Sequence, residues 1–324
     1  LQKLNRNPVL GLKILKKIAN IELKEMTISD IVFSLGPRIN APGRMAHARA
    51  SVDILTCANE EEGLKFAESL SLHNTARRET DEQITSEAIF EISNVDDFIN
   101  QRTIVLANES WSKGVIGIVA SRMVERYYKP TIIFSENNGI LTGSARSIKG
   151  FSIYDGISKC SENVIQFGGH DFAAGLSIAK DKFESFKAKF EEIGLKEITH
   201  DMQSPVIDID HELDLQDIDF KFYNILDQMA PFGPDNMQPV FYTKNLMDAG
   251  KTCKVGKLQN HIRMEMIDAK GVRMNGIAFG LGDMIDVEKM KKSSFDICYT
   301  IQANEFNGKI SLDIIVKDIK IVEH

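Results

Sequence analysis

From Thr103 onward, short apolar runs alternate with longer stretches whose apolar residues recur every three or four positions. TIVLAN reads as a strand and GVIGIVASRMVERYY as an amphipathic helix. That helix ends at Lys129-Pro130, because the residue before a proline is pushed out of the helical region. TIIFSE, ILTGSAR and GLSIA read as further strands, with helices near 153–160 and 181–193. Alternating strands and helices predict an α/β layer of roughly 100 residues. Upstream, Leu10, Ile14, Leu15 and Ile18 place residues 1–20 on an amphipathic helical stub. The two prolines and two glycines of Gly36 to Arg44 predict a loop, followed by a helix over Met45 to Ala58. A helical pattern from Glu60 to Ile92 without a proline predicts one long helix, a spacer between bodies. After Gln203 the period changes to two. VIDIDHELDL, PVFYTKNL, HIRMEMIDA, RMNGIAFGL, FDICYTIQA and KISLDIIVKDI predict five or six strands, with one short helix near 222–229 and an Asn307-Gly308 turn, hence a small β-barrel. The divisions are 1–58, 59–95 for the long helix, 96–202 for the α/β layer and 203–324 for the barrel.

Composition narrows the class. The chain has 324 residues, 43% hydrophobic and 26% charged, as expected of globular domains. No apolar run approaches a membrane span and no signal-peptide pattern opens the chain. Cys57, Cys160, Cys253 and Cys298 are far apart, which disfavours a zinc knuckle or a disulfide framework and points to a reducing cytoplasm. The net charge of −7 lacks the basic excess that usually marks nucleic-acid binding. Any such binding must come from local arginine clusters. The chain opens on Leu1 within a helical pattern, which points to an excised fragment.

Three clusters carry candidate chemistry. Gly168-Gly169-His170, followed by Ala173-Ala174-Gly175, joins close backbone approach to a group that can donate to phosphate or move a proton. The plainer alternative is a tight turn with a surface histidine. Ser144-Ala145-Arg146-Ser147 offers a planar fork between two hydroxyls, which suits phosphate, although a lone arginine after a strand is often only a solvated charge. The first is expected on a loop and the second where the ILTGSAR strand runs into a loop. Arg38, Asn40 and Arg44 cluster in the Pro/Gly segment, with Gly43-Arg44 expected at a helix start that favours anions. Asp208, Asp210, Glu212 and Asp214 alternate with Ile207, Ile209, His211, Leu213 and Leu215, the pattern of a solvated strand face and not of a calcium loop, with His211 partly buried. Phe241, Tyr242, Phe279, Tyr299 and Phe306 could stack bases but suit a barrel core, and Lys251, Lys254 and Lys257 could line a groove. No P-loop, nucleophile elbow or H-E-x-x-H helix occurs.

In this order, GPRINAPGRM, WSKGVIGIVASRMVERYYKPTIIF, GSARSIKGFSIYDGI, FGGHDFAAGL, APFGPDNMQPVF, GIAFGLGD and NEFNGKISLDIIVKDI resemble the RecJ family of single-strand-specific DNA exonucleases, within the DHH phosphoesterase superfamily. The resemblance implies a phosphate-binding linker, a DHHA1-type α/β substrate domain and an oligonucleotide/oligosaccharide-binding (OB) barrel. It implies 5′→3′ exonuclease action in recombination and repair, using Mn²⁺ or Mg²⁺ held by an upstream DHH domain that this sequence lacks. The fragment alone is then expected to be inactive, with no metal site of its own. The resemblance also implies that Arg38, Asn40, Arg44, Ser144, Arg146, Ser147, Gly168 and Gly169 grip single-stranded DNA, with His170 an auxiliary phosphate contact. Partners would be a single-strand-binding protein and a helicase, without a membrane. Ser112 stands after Trp111 where the family usually has histidine, which puts that histidine's role in doubt here. Two alternatives remain: a DHH-family oligoribonuclease or phosphatase, and a non-catalytic single-strand-binding module.

Overall fold

The computed structural model describes residues 1–21, 25–306 and 308–322. Asn307 and the Phe306 side chain, expected in the last hairpin and among the barrel aromatics, lie outside the described residues. The chain divides into two compact units, Leu1–Pro205 and Val206–His324.

The first unit opens with helices α1 (Gln2–Arg6), α2 (Leu10–Ile18) and α3 (Ile28–Asp30). A π-helical segment, Ile31–Leu35, carries α3 directly into α4 (Gly36–Met45). The segment expected as a loop is therefore helical. Pro37 sits in the first turn, where no amide donor is needed, and Pro42 costs the helix a single backbone bond. After α5 (Arg49–Thr56) comes α6 (Glu60–Ser93), 34 residues capped by Asn59, whose side chain accepts from the Glu62 amide. Three glutamates in its first turn meet the positive end of the helix dipole. α6 is more than a spacer. Ala67 and Leu70 pack with Ile14, Leu15, Leu35 and Ile54 in one core. Ile84, Ala88 and Ile92 pack with Trp111, Val115, Ile116 and Val119 in another. Between those ends lie the buried polar residues Asn74 and Asp81.

The α/β part comprises β1 (Ile104–Asn108), α7 (Ile116–Tyr127), β2 (Thr131–Asn137), β3 (Ile140–Arg146), α8 (Ile153–Ser158), β4 (Gln166–His170), β5 (Ala173–Ala179) and α9 (Phe183–Glu197). Its sheet runs β1-β2-β3-β5-β4, with the first pair parallel and the other pairs antiparallel. α7 ends as expected: Tyr128 turns left-handed, φ 50°, just before Lys129-Pro130. One sheet face packs Ile132, Phe134, Leu141, Ala145 and Leu176 against Phe186 and Phe190 of α9. On the other face, Ile104, Leu106 and Ile133 lie under α7.

The second unit holds β6 (His211–Glu212), α10 (Phe220–Asp227), β7 (Phe241–Asp248), β8 (Cys253–Val255), β9 (His261–Ile267), β10 (Arg273–Ala278), α11 (Val287–Met290), β11 (Phe295–Phe306) and β12 (Lys309–Ile321). β7 pairs with both β11 and β9, which closes β7-β11-β12-β10-β9 into a barrel. Phe241, Met264, Met266, Phe295, Tyr299 and Ile314 fill it. The strand expected over 206–215 is only the two-residue β6. Ile209 is exposed and so is His211, expected to be partly buried, because pairing to β7 extends no further than Phe241 and Tyr242. β8 and α11 carry no periodicity long enough to be read from sequence.

Candidate nucleic-acid interface

Ser144-Ala145-Arg146 ends β3, as the ILTGSAR run predicts, and Gly168-Gly169-His170 lies on β4 and not on a loop as expected. β5 separates them and brings them into register. Ser144 pairs with Gly175, which pairs with Gly168; Arg146 pairs with Ala173, which pairs with His170. Directly paired antiparallel residues share a face, and so do residues two apart on a strand. Two rows, Ser144–Gly175–Gly168 and Arg146–Ala173–His170, therefore occupy one face of the sheet. Ala145 and Ala174 point to the other and are buried in the core.

Two kinds of glycine meet here. A Cβ on Gly143 would come within 2.6–2.8 Å of Phe134 and Leu176, and one on Gly169, where φ is 153°, within 2.3 Å of the Ala173 carbonyl oxygen, so packing dictates both. A Cβ on Gly168 would meet nothing within 4 Å, and one on Gly175 only the Gly143 carbonyl oxygen at 4.0 Å. Nothing inside the protein demands these two. Their missing side chains leave a bare backbone floor in a cleft of about 380 Å³, lined also by Lys113, Thr142, Ser144, Gln166, Phe167 and Ser177.

Arg146 Nη1 donates to Ser144 Oγ at 3.1 Å and to the Ala145 carbonyl at 2.7 Å. Ser144 Oγ accepts, so its own proton is free for a ligand. Burial lowers the Arg146 pKa, and the Arg44 guanidinium lowers it further. In α7, Gly117 makes room for this pair: a Cβ there would lie 2.9 Å from Ser144 Oγ and 3.1 Å from Arg146 Nη2. His170 is exposed, and its Nδ1 accepts from the Phe172 amide at 3.3 Å. That bond assigns the proton of the neutral ring to Nε2, a donor directed away from the Phe172 backbone. The Ser147 hydroxyl is spent locally, donating to the Phe151 carbonyl.

The Pro/Gly cluster divides. Arg44 lies in the last turn of α4, not at a helix start, so the anticipated dipole assistance is absent and the cation instead suits the negative helix end. Arg44 Nη1 donates to the Gly114 carbonyl at 3.2 Å. Arg38 donates to the Ser34 carbonyl one turn back, and its buried Nε has no partner. Asn40 is exposed on α4. The Ser112 carbonyl accepts from the Val115 and Ile116 amides, a turn that leads into α7.

Sequence reasoning passed over a polar group in mid-α6. Asp81 is fully buried, with Arg122 Nη2 of α7 at 2.6 Å and Arg77 Nη1 at 3.9 Å. Arg77 also donates to Asn74 Oδ1. A charge in the middle of a polar helix carries no periodic signal of burial.

In the barrel unit, Phe241 and Tyr299 are core, whereas Phe279 is 57% exposed beside His261. Asp210 accepts from the Val240 amide, and Glu212 and Asp214 pair with Lys244 and Lys270. Lys251, Lys254 and Lys257 are exposed, and Lys251 pairs with Glu265. Among the described residues, no group of three or more His, Cys, Asp or Glu side chains converges to hold a metal, and no helix is long and apolar enough to cross a membrane.

The DHHA1 domain profile matches residues 100–194 and the RecJ OB domain profile matches 209–318. The single-stranded-DNA-specific exonuclease RecJ of Bacillus subtilis (strain 168) is 29% identical over all of this chain, which covers 41% of that protein. For RecJ of Escherichia coli (strain K12), identity is 28% over 95% of this chain and 54% of the relative. The chain thus spans about half the length of the curated relatives it matches. The crystal structure of Thermus thermophilus RecJ in complex with Mg²⁺ superposes with a TM-score of 0.78 at 22% identity, over 97% of this chain and 47% of that one; a second, with Mn²⁺, gives 0.77. With both domains matched in sequence order and RecJ proteins aligned along nearly its whole length, the chain is a RecJ-like polypeptide made of a DHHA1 domain followed by a RecJ OB domain.

Proposed function

We propose that this chain is the strand-holding part of an exonuclease that degrades single-stranded DNA 5′→3′ in recombination and repair. The observation that carries this is the sheet face where Ser144 shares a row with a glycine floor that internal packing does not require, and Arg146 and His170 stand in the next row on the same face. Arg146 presents a fork to a backbone phosphate, Ser144 a free hydroxyl proton and His170 its Nε2–H. Gly168 and Gly175 let the sugar-phosphate chain lie against the main chain. Contacts of this kind position a strand without reading its sequence. Arg44 adds charge to the same group, whereas Ser147 and Arg38 contribute less, the Ser147 hydroxyl being spent on the Phe151 carbonyl and Arg38 Nη1 on the Ser34 carbonyl, and the uncharged Asn40 on α4 adds a weaker polar contact. The barrel gives the strand a second track.

Mn²⁺ or Mg²⁺ would supply activated water and stabilise the leaving oxygen in the whole enzyme. The side chains described here offer no donor set for such ions, so this chain's share is placement of the strand. The reading implies the cytoplasm as compartment, with a helicase and a single-strand-binding protein as partners. The RecJ OB match over 209–318 favours it over an oligoribonuclease or phosphatase of the same superfamily.

Fluorescence anisotropy with a labelled, 5′-phosphorylated single-stranded oligonucleotide tests it. Wild-type chain binds the single strand in preference to duplex. Arg146→Ala weakens binding and lowers the slope of log affinity against log salt by about one unit. An unchanged slope removes Arg146 from the strand contact. Digestion of the oligonucleotide by the chain with Mn²⁺, abolished by changing one of its own residues, would overturn the assignment of a holding role alone.

A further inference from the structure

The glycine floor borders another polar row. Thr142 and Gln166 both pair with Ser177, two residues along their strands from Ser144, Gly168 and Gly175, so the three share the face of that floor. All three line the cleft of about 380 Å³. Ser177 is only 9% exposed, and its hydroxyl is not sealed in the core but opens into the cleft. Among the described residues, nothing hydrogen-bonds to the Ser177 or Thr142 hydroxyl or to the Gln166 amide. A nine-tenths buried hydroxyl without a protein partner, aimed into a cleft, points to a ligand. The chemistry of the row narrows it. Serine and threonine hydroxyls rotate to donate or accept, and the glutamine amide carries both a donor and an acceptor. None of the three is charged, so the row does not suit a phosphate. It suits a flat edge of mixed donors and acceptors, which every nucleobase has. Spacing agrees. Neighbouring rows on one face lie about 7 Å apart, two residues at about 3.4 Å each. The Arg146 fork reaches back to Ser144 Oγ at 3.1 Å. A phosphate held there has its sugar over the glycines and its own base over the next row.

We infer that Thr142, Ser177 and Gln166 form a nucleobase subsite, which takes the edge of one base whose phosphate lies at Ser144 and Arg146. The inference rests on the strand-holding reading and deepens it, from a grip on the backbone to a seat for one nucleotide. Ser177, the most enclosed of the three, is its anchor. Hydroxyls and a primary amide exchange donor and acceptor roles, so the seat takes all four bases alike. A strand is then held through base and backbone together without its sequence being read. A nucleotide within a strand and a free nucleoside monophosphate bring the same base and phosphate to this place.

Anisotropy with a labelled, 5′-phosphorylated oligothymidylate tests the subsite, with an abasic unit placed in turn at each of the first four nucleotides. At one position the missing base should weaken binding to the wild-type chain by roughly threefold to tenfold. Ser177→Ala should weaken binding of the intact strand by a similar factor and lose nothing further on the strand abasic at that position. Its salt slope should match the wild type, because no phosphate contact is given up. Gln166→Ala, at an exposed position of β4, should repeat the pattern. Adenine, cytosine or guanine in place of that thymine should change affinity by less than about twofold. Deoxythymidine 5′-monophosphate should raise the melting temperature of the wild-type chain more than that of Ser177→Ala, a readout that needs no strand. Full binding of every abasic strand, or an abasic loss undiminished in Ser177→Ala and Gln166→Ala, overturns the subsite. A slope lower by about one unit in Ser177→Ala marks a phosphate contact and overturns the base seat. A larger preference for one base overturns its generality. If Arg146→Ala lowers the slope while abasic strands bind like the intact one, the strand-holding face stands and the base subsite falls. If the monophosphate protects the wild-type chain more than Ser177→Ala and no single strand binds, the strand-holding reading falls and the subsite stands.

Discussion

Two halves of one sheet are built to different rules. β1 and β2 are buried through most of their length, with Ile104, Leu106 and Ile133 toward α7 and Val105, Ile132 and Phe134 toward α8 and α9. Their sequences are accordingly continuous apolar runs. β3, β5 and β4 bury only the face carrying Leu141, Ala145, Ala174 and Leu176. The other face carries Thr142, Ser144, Arg146, Gln166, Gly168, His170 and Gly175, of which Gln166, Gly168, His170 and Gly175 are exposed. Helices cover both faces of the sheet at β1 and β2, α7 reaches Ser144 and Arg146 of β3 through Gly117, and the same face of β5 and β4 is left more open beyond them. The covered half supplies rigidity, and the free half spends it on a flat polar surface.

The contrast is open to attack. Phe134→Ala empties the covered side, where the ring is fully buried and meets Phe183 and Phe186 edge-on. It should cost about 3–5 kcal/mol in chemical denaturation; a loss no larger than that of a typical surface substitution would mean that the two halves do not differ in kind. Gly175→Val should do the reverse. The added side chain meets no internal obstacle and favours a strand, so stability should hold or rise slightly. It fills the cleft floor, so affinity for a single strand should fall by about tenfold, roughly 1.4 kcal/mol. Equal affinity would show that the floor is not where the strand lies. The smallest effect concerns the barrel. A hydrogen bond to Asp296 pushes the Tyr242 phenol up to about 12, and burial pushes that of Tyr299 up to about 12. A raised phenol pKa stabilises the fold fully below about pH 10 and ceases to do so as pH climbs toward 12. The denaturation midpoint of the barrel unit should decline across that window, and Tyr242→Phe should flatten the decline.

Sequence pattern revealed what local periodicity controls. The continuous runs of β1 and β2, the α7 face and its stop at Lys129-Pro130, the length of α6 and most barrel strands could all be seen. GPRINAPGRM misled because prolines usually break helices, yet one falls in the first turn and the other is tolerated in a helix already running from α3. Gly168-Gly169-His170 looked like a turn because glycine is rare in strands; β5 holds it extended as a partner. Ser144, Arg146 and the glycine pair could be named from sequence, but their common face depends on register across β5. Arg77, Asp81 and Arg122 were invisible, since Asp81 and Arg122, 41 positions apart on two helices, had to meet before a polar stretch became a buried one.

Gly114 carries a mechanical consequence. A Cβ there would lie 1.9 Å from the Arg44 carbonyl oxygen, so the end of α4 is seated directly on the backbone that leads into α7. With any larger residue at 114, α4 would have to lift away and carry Arg44 with it. For the strand-holding role proposed above, a polymer with a constant repeat needs contacts at a constant pitch, and the placing of Arg44 depends on one hydrogen atom standing where a methyl group would be.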